Sequence, residues 1–198
     1  MNSLKLFSVT NRKCCAGDFL TQIKKISIAG TDGMIIREKD LTEEAYANLA
    51  AQCHAICRET KTPLILHHFV STARRMKLPV QLSIQDFNAL SPSICAEIPI
   101  GVSIHSVEEA TAAAQGGASW VIAGHIFETT CKPDLPPRGL NFLRAVCDAV
   151  SIPVYAIGGI SRDRLPELKA AGATGCCVMS AWMRCKNPAE EIAAWRKF

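Results

Sequence analysis

"IGVSIHSVEEATAAAQGGASWVIAGHIF" (100–127) holds a strand, a helix and a second strand in 28 residues. "IGVSIH" (100–105) and "WVIAGHIF" (120–127) are rich in valine and isoleucine and apolar on both faces, the pattern of strands covered on both sides. Between them Ser106 and Glu109 form an S-x-x-E capping box, alanines fill the interior, and Gly116 or Gly117 can take the left-handed stop position. Buried strands that alternate with helices belong to a parallel sheet.

The same unit recurs in both directions. Strand-like runs stand at "KLFSVT" (5–10), "GMIIRE" (33–38), "PLILHH" (63–68), "PVQLSI" (79–84), "PVYAIGGI" (153–160) and "GCCVMSA" (175–181), which with the first two makes eight. Thr42 can cap a helix over 43–59, with Glu43 and Glu44 in its positive first turn. Leu140, Leu143, Val146, Cys147 and Val150 follow the i, i+3, i+4 spacing of a buried helix face. The connection 69–78 is short and basic, which predicts a vestigial helix there. Eight units predict a single (β/α)₈ TIM barrel over 1–198, near the minimum length for that fold. An open doubly wound sheet fits less well, because no Gly-rich dinucleotide loop follows the first strand.

Composition narrows the function. A formal charge of +4 with 6% aromatic residues gives nucleic-acid binding little support and suits a small anionic ligand. The start shows no segment of signal-peptide character and no run approaches a membrane span, so the expectation is a cytoplasmic protein with no membrane partner. Ten cysteines in such a chain predict reduced thiols used as small core residues. Cys53 and Cys57 lie one helical turn apart but His54 falls on another face, which argues against zinc, and no metal site is expected.

In a barrel of this kind the active site gathers at the C-terminal strand ends. The polar residues at those positions are Arg37, Glu38 and Lys39; His67 and His68; Gln85 and Asp86; Ser103 and His105; His125 to Lys132; Gly158 and Gly159; and Ser180. Gly158 and Gly159 after the seventh strand, with Met179 and Ser180 after the eighth, stand where many barrels bind phosphate, although paired glycines also serve a tight βα turn. His125 is the candidate acid–base residue, since imidazole exchanges protons near neutral pH, and a hydrogen-bonded structural histidine is the plainer reading. Lys132 is a candidate anion clamp; Cys131 beside it is a bystander.

"REK" (37–39), "GVSIHSVEEA" (101–110), "GHIFETTCKP" (124–133), "GL" (139–140), "PVYAIGGIS" (153–161) and "VMSA" (178–181) resemble the thiamine phosphate synthase/TenI superfamily across nearly the whole chain. The synthase branch, which joins a pyrimidine diphosphate to a thiazole phosphate with Mg²⁺, has a glutamine where this chain has Ile35 and an Asn-Asp pair where it has His67 and His68. That branch also has a His-Leu-Gly-Gln-x-Asp segment where this chain reads Gln81 to Asp86, so one of its two metal-binding aspartates, Asp86, is kept. The histidine form of the sixth-strand segment, "GHIFETTCK", is similar to the TenI branch, whose characterised members are thiazole tautomerases.

The resemblance to that branch implies isomerisation of a 2-carboxy-thiazolylidene ethyl phosphate to its aromatic carboxythiazole phosphate without metal or redox cofactor. It implies His125 as proton shuttle and Gly159, Met179 and Ser180 as phosphate holders. Arg37, Lys39 and Lys132 would orient the anionic groups, and Ser103, His105 and Gly158 would complete the substrate-binding set. A thiazole phosphate is then the expected small-molecule partner, and the chain is expected to form a homo-oligomer, dimer or tetramer. A thiamine phosphate synthase, or a non-catalytic thiamine-pathway binding or regulatory protein, remains the alternative.

Overall fold

The computed structural model describes residues 3–15, 17–129 and 135–198. Eight parallel strands form one hydrogen-bonded ring, a (β/α)₈ barrel closed in the order β1 to β8. They are β1 (Lys5–Val9), β2 (Gly33–Ile36), β3 (Leu64–His67), β4 (Val80–Ser83), β5 (Ile100–Ile104), β6 (Trp120–Gly124), β7 (Val154–Ile157) and β8 (Gly175–Val178). Every expected strand is present, and each is shorter than its apolar run. β6, β7 and β8 stop at Gly124, Ile157 and Val178, because the residues that follow turn out of the ladder into loops.

The helices in chain order are α1 (Phe19–Ile28), α2 (Glu43–Glu59), α3 (Val70–Met76), α4 (Ile84–Asn88) and α5 (Pro92–Glu97). They continue with α6 (Val107–Gln115), α7 (Gly139–Ala149), α8 (Leu165–Ala170), α9 (Ser180–Met183) and α10 (Pro188–Trp195). α2 has the expected bounds, with Thr42 accepting from the Ala45 N–H. At α6 the Ser106 side chain accepts from the Glu109 N–H at 3.1 Å, but the Glu109 carboxylate accepts from the His105 N–H at 2.6 Å, one residue earlier than in a strict capping box. Gly117, at φ +90°, takes the left-handed stop.

The 69–78 connection differs from its expectation. α3 is a two-turn helix that buries Thr72 and Ala73, places Arg74 and Arg75 in its last turn, and ends on Lys77 in the left-handed conformation. Two basic residues there favour the negative end of the helix rather than opposing it.

The described chain falls into two compact units, one of the N-terminal stretch to Lys5 with Gln81–Cys177, the other of Leu6–Val80 with Val178–Phe198. The first has Val102, Ile104, Val121, Leu143, Val146 and Ala156 in its core; the second has Ile23, Ile26, Met34, Ile36, Leu66 and Trp182. Cys53 and Cys57 are buried in the second unit and Cys176 and Cys177 on β8, all as free thiols. No helix among the described residues is long and apolar enough to cross a membrane.

Candidate active site

In the first unit His125 directly follows β6 and is 5% exposed. Its Nε2 lies 3.1 Å from the Leu135 carbonyl oxygen, while its Nδ1 is buried with no hydrogen-bond partner among the described residues. A carbonyl only accepts, so this contact assigns the proton of the neutral ring to Nε2 and leaves Nδ1 as a bare lone pair. The backbone around it is locked from both sides. The Ile126 N–H donates to the Ile157 carbonyl at 2.9 Å, the Phe127 N–H to the Gly158 carbonyl at 3.0 Å, and the Arg138 N–H to the His125 carbonyl at 3.0 Å. Arg164 stacks its guanidinium 4.1 Å from the centre of the Phe127 ring.

This packing explains the glycine pair. Gly158 (φ +98°) and Gly159 (φ +66°) hold left-handed backbone, and a Cβ on Gly158 would run into the Cβ of His125 and come within 2.8 Å of its Cα. On Gly159 it would meet the Glu128 carbonyl and lie 2.8 Å from the Phe127 Cβ. Close approach to the His125 segment therefore already requires both glycines. The Gly159 N–H has no backbone partner among the described residues.

Ser103, one residue before the end of β5, is half-buried; its Oγ accepts from Gln81 Nε2 at 3.0 Å, and Gln81 Oε1 accepts from Trp120 Nε1 at 2.8 Å. His105, just past β5, keeps a side chain 42% exposed with Nδ1 3.7 Å from Glu109 Oε2.

In the second unit Glu38 is 3% exposed. It accepts from Thr10 Oγ1 at 2.7 Å, from the Arg12 N–H at 3.0 Å and from Arg12 Nη1 at 3.1 Å. Thr10 Oγ1 in turn accepts from the Arg37 N–H at 2.9 Å, so the buried carboxylate anchors the backbone on which half-buried Arg37 and exposed Lys39 stand. Arg12 also grips Asp40 through two 2.7 Å contacts, which with Lys13 holds the Asp40 carboxyl below the usual carboxylate range. Tyr46 ties the ends of β2 and β3, donating to the Ile36 carbonyl at 2.7 Å and accepting from the His67 N–H at 2.8 Å. Burial pushes its hydroxyl pKa upward, so it stays protonated.

Met179 and Ser180 also lie in the second unit. Ser180 opens α9, a helix of a single turn. Lys132 and Cys131 lie outside the described residues. The Mg²⁺ of the synthase branch finds no ready cage: among the described residues no group of three or more His, Cys, Asp or Glu side chains is placed to hold a metal ion.

Sequence reasoning passed over Gln81, Trp120 and Leu135. Gln81 had a signal, a polar side chain inside the otherwise apolar "PVQLSI". Leu135 had none, since it contributes a backbone carbonyl.

The thiamine monophosphate synthase (TMP-TENI) family matches residues 6–182. A putative thiamine-phosphate synthase 2 of Aquifex aeolicus is 31% identical, covering 90% of this chain and 97% of its own length. A thiamine-phosphate synthase of Methanoregula boonei is 34% identical, covering 90% and 85%. A solved thiamine phosphate pyrophosphorylase from Pyrococcus furiosus superposes with TM-score 0.85 at 28% identity, covering 98% of this chain and 94% of that one. A match over most of the chain, set on a closed eight-stranded barrel, means that this protein belongs to the thiamine phosphate synthase/TenI superfamily.

Proposed function

We propose that the chain is a thiazole tautomerase of thiamine biosynthesis that converts the carboxythiazolylidene ethyl phosphate to the aromatic carboxythiazole phosphate. The observation that carries the reading is His125: a buried imidazole with Nε2 held by the Leu135 carbonyl and Nδ1 unpartnered. Nδ1 takes the proton from ring C2, the C–H electron pair moves into the ring system, and the exocyclic carbon gains a proton in return. One proton leaves and one arrives, so the substrate is isomerised with no change of oxidation state. Aromatisation is downhill, and general acid–base help of about 10²–10⁴-fold suffices. The Gly159 N–H is assigned to the phosphate of the substrate.

The names of the relatives favour a second reading, thiamine phosphate synthase. Against it stand His67 and His68 at the third strand end, which offer imidazole where Mg²⁺ prefers hard oxygen. Purified protein is given the thiazolylidene phosphate in one assay, and pyrimidine diphosphate, thiazole phosphate and Mg²⁺ in another. The proposal expects tautomerisation in the first and little thiamine phosphate in the second. Condensation at roughly 1 s⁻¹ or more without tautomerisation would replace it with the synthase reading.

A further inference from the structure

The imidazole of His125 is clasped by the residues that lead into α7. Leu135 turns its carbonyl oxygen to Nε2 at 3.1 Å, the Arg138 N–H donates to the His125 carbonyl at 3.0 Å, and the Gly139 N–H donates to the Ile126 carbonyl at 3.0 Å. Residues 135–139 therefore form a strap tied to the histidine segment at both ends. No side chain caps α7, so the N–H of its first residue, Gly139, is satisfied by that segment instead. Gly139 holds φ +77° with nothing within 4 Å of its Cβ position, so glycine stands there for the turn and not for space. Between the two ties lie Pro136 and Pro137. Each proline bars the residue before it from helical backbone, which restricts both Leu135 and Pro136 to extended conformations. Neither proline has an N–H. Over these two residues the backbone carries acceptors and no donor, so a ring with its lone pair on Nε2 would find nothing there to donate to it. The Leu135 side chain is 55% exposed, and what that residue brings to the histidine is its carbonyl.

We infer that Pro136 and Pro137 are positioning residues: they hold the Leu135 carbonyl against Nε2 and so keep His125 in the tautomer whose Nδ1 is free to take a proton. The inference rests on the tautomerase reading for the source of that proton, ring C2 of the substrate. When Nδ1 gains the proton the ring becomes a cation, and the bond from Nε2–H to the carbonyl becomes charge-assisted. The strap therefore contributes more in the transition state than in the bound ground state, and its loss falls on kcat more than on KM.

Two measurements test this. Long-range proton–nitrogen NMR of the ligand-free, ¹⁵N-histidine-labelled protein, at about pH 8 where an ordinary imidazole is neutral, distinguishes a protonated ring nitrogen from a bare one. The His125 signals are those missing from His125→Gln. Wild type should show Nε2 protonated and Nδ1 bare. The double variant Pro136→Ala, Pro137→Ala, which frees the carbonyl and restores two N–H donors, should show signals shifted toward the Nδ1–H form. In the second measurement, steady-state conversion of the thiazolylidene phosphate should lose about tenfold in kcat in the double variant with KM changed by less than about twofold, and about twofold to fivefold in kcat in Pro137→Ala alone. Pro137→Ala also covers the case in which the double variant does not fold, since its ring signals should shift the same way by less. A strap that served folding alone would lower the melting temperature and leave the ring signals where they are. That outcome, or an Nδ1–H signal in wild type, overturns the proposal. If wild-type protein does not aromatise the substrate, the tautomerase reading has failed, and the ring signals alone decide the strap.

Discussion

At the scale of single residues, two buried polar groups divide the work. His125 leaves one ring nitrogen unpartnered, which costs stability in a purely structural residue and makes sense in a base. Glu38 is the opposite case, a carboxylate whose oxygens are occupied by Thr10 and Arg12, and it holds backbone rather than ligand. Glu38→Ala should therefore destabilise the protein by about 1–3 kcal/mol, because the Thr10 hydroxyl and the Arg12 N–H lose their acceptor. Urea denaturation at neutral pH measures it. Asp40→Asn removes an exposed partner of the same arginine and should leave the unfolding midpoint nearly unmoved, since water screens that pair. Equal losses in the two variants would show that burial is not what gives Glu38 its weight.

At the scale of elements, the loop after β7 acts as a spacer. Gly158→Ala forces a side chain against the backbone of His125 in a left-handed conformation. Gly30→Ala meets only the conformational cost, because nothing lies near its Cβ position at φ +86°. Thermal melts should show Gly30→Ala destabilised by about 1 kcal/mol and Gly158→Ala by clearly more; equal shifts would remove the packing argument. The strands were legible in the sequence because valine and isoleucine on both faces leave few alternatives, and α2 because Thr42, Glu43 and Glu44 mark its start. α3 was not, since its hold comes from two buried residues and a left-handed lysine that composition does not reveal. Of the candidate site, the residues at strand ends were legible and their partners were not: Gln81 lies 22 residues from Ser103 and 39 from Trp120. Only the closed sheet brings such residues together.

At the scale of the whole molecule, the buried thiols set a limit on stability with pH. Burial pushes the Cys53 thiol up to about 12 and, with Asp148 nearby, Cys147 up to about 11. These folded values lie above the ordinary thiol value of 9.0, so the stabilisation is whole below that pH and is lost as pH rises through the folded values. Between pH 9 and 11 Cys53 should remove up to about 1.4 kcal/mol per pH unit, and the partly exposed Cys147 clearly less, because the unfolded chain releases a proton that the native state retains. Urea melts across that range should show falling stability, and Cys53→Ala should flatten the slope; a flat wild-type curve contradicts the burial argument. The claim that binds residue, element and molecule together is that the barrel holds His125 as the base of a proton transfer. The most direct test is single-turnover conversion of the thiazolylidene phosphate in D₂O by wild type and by His125→Gln. The account predicts rapid aromatisation with deuterium at the exocyclic carbon for wild type, and a loss of about 10²-fold or more in His125→Gln with phosphate binding kept. Near-normal turnover in folded His125→Gln would contradict it.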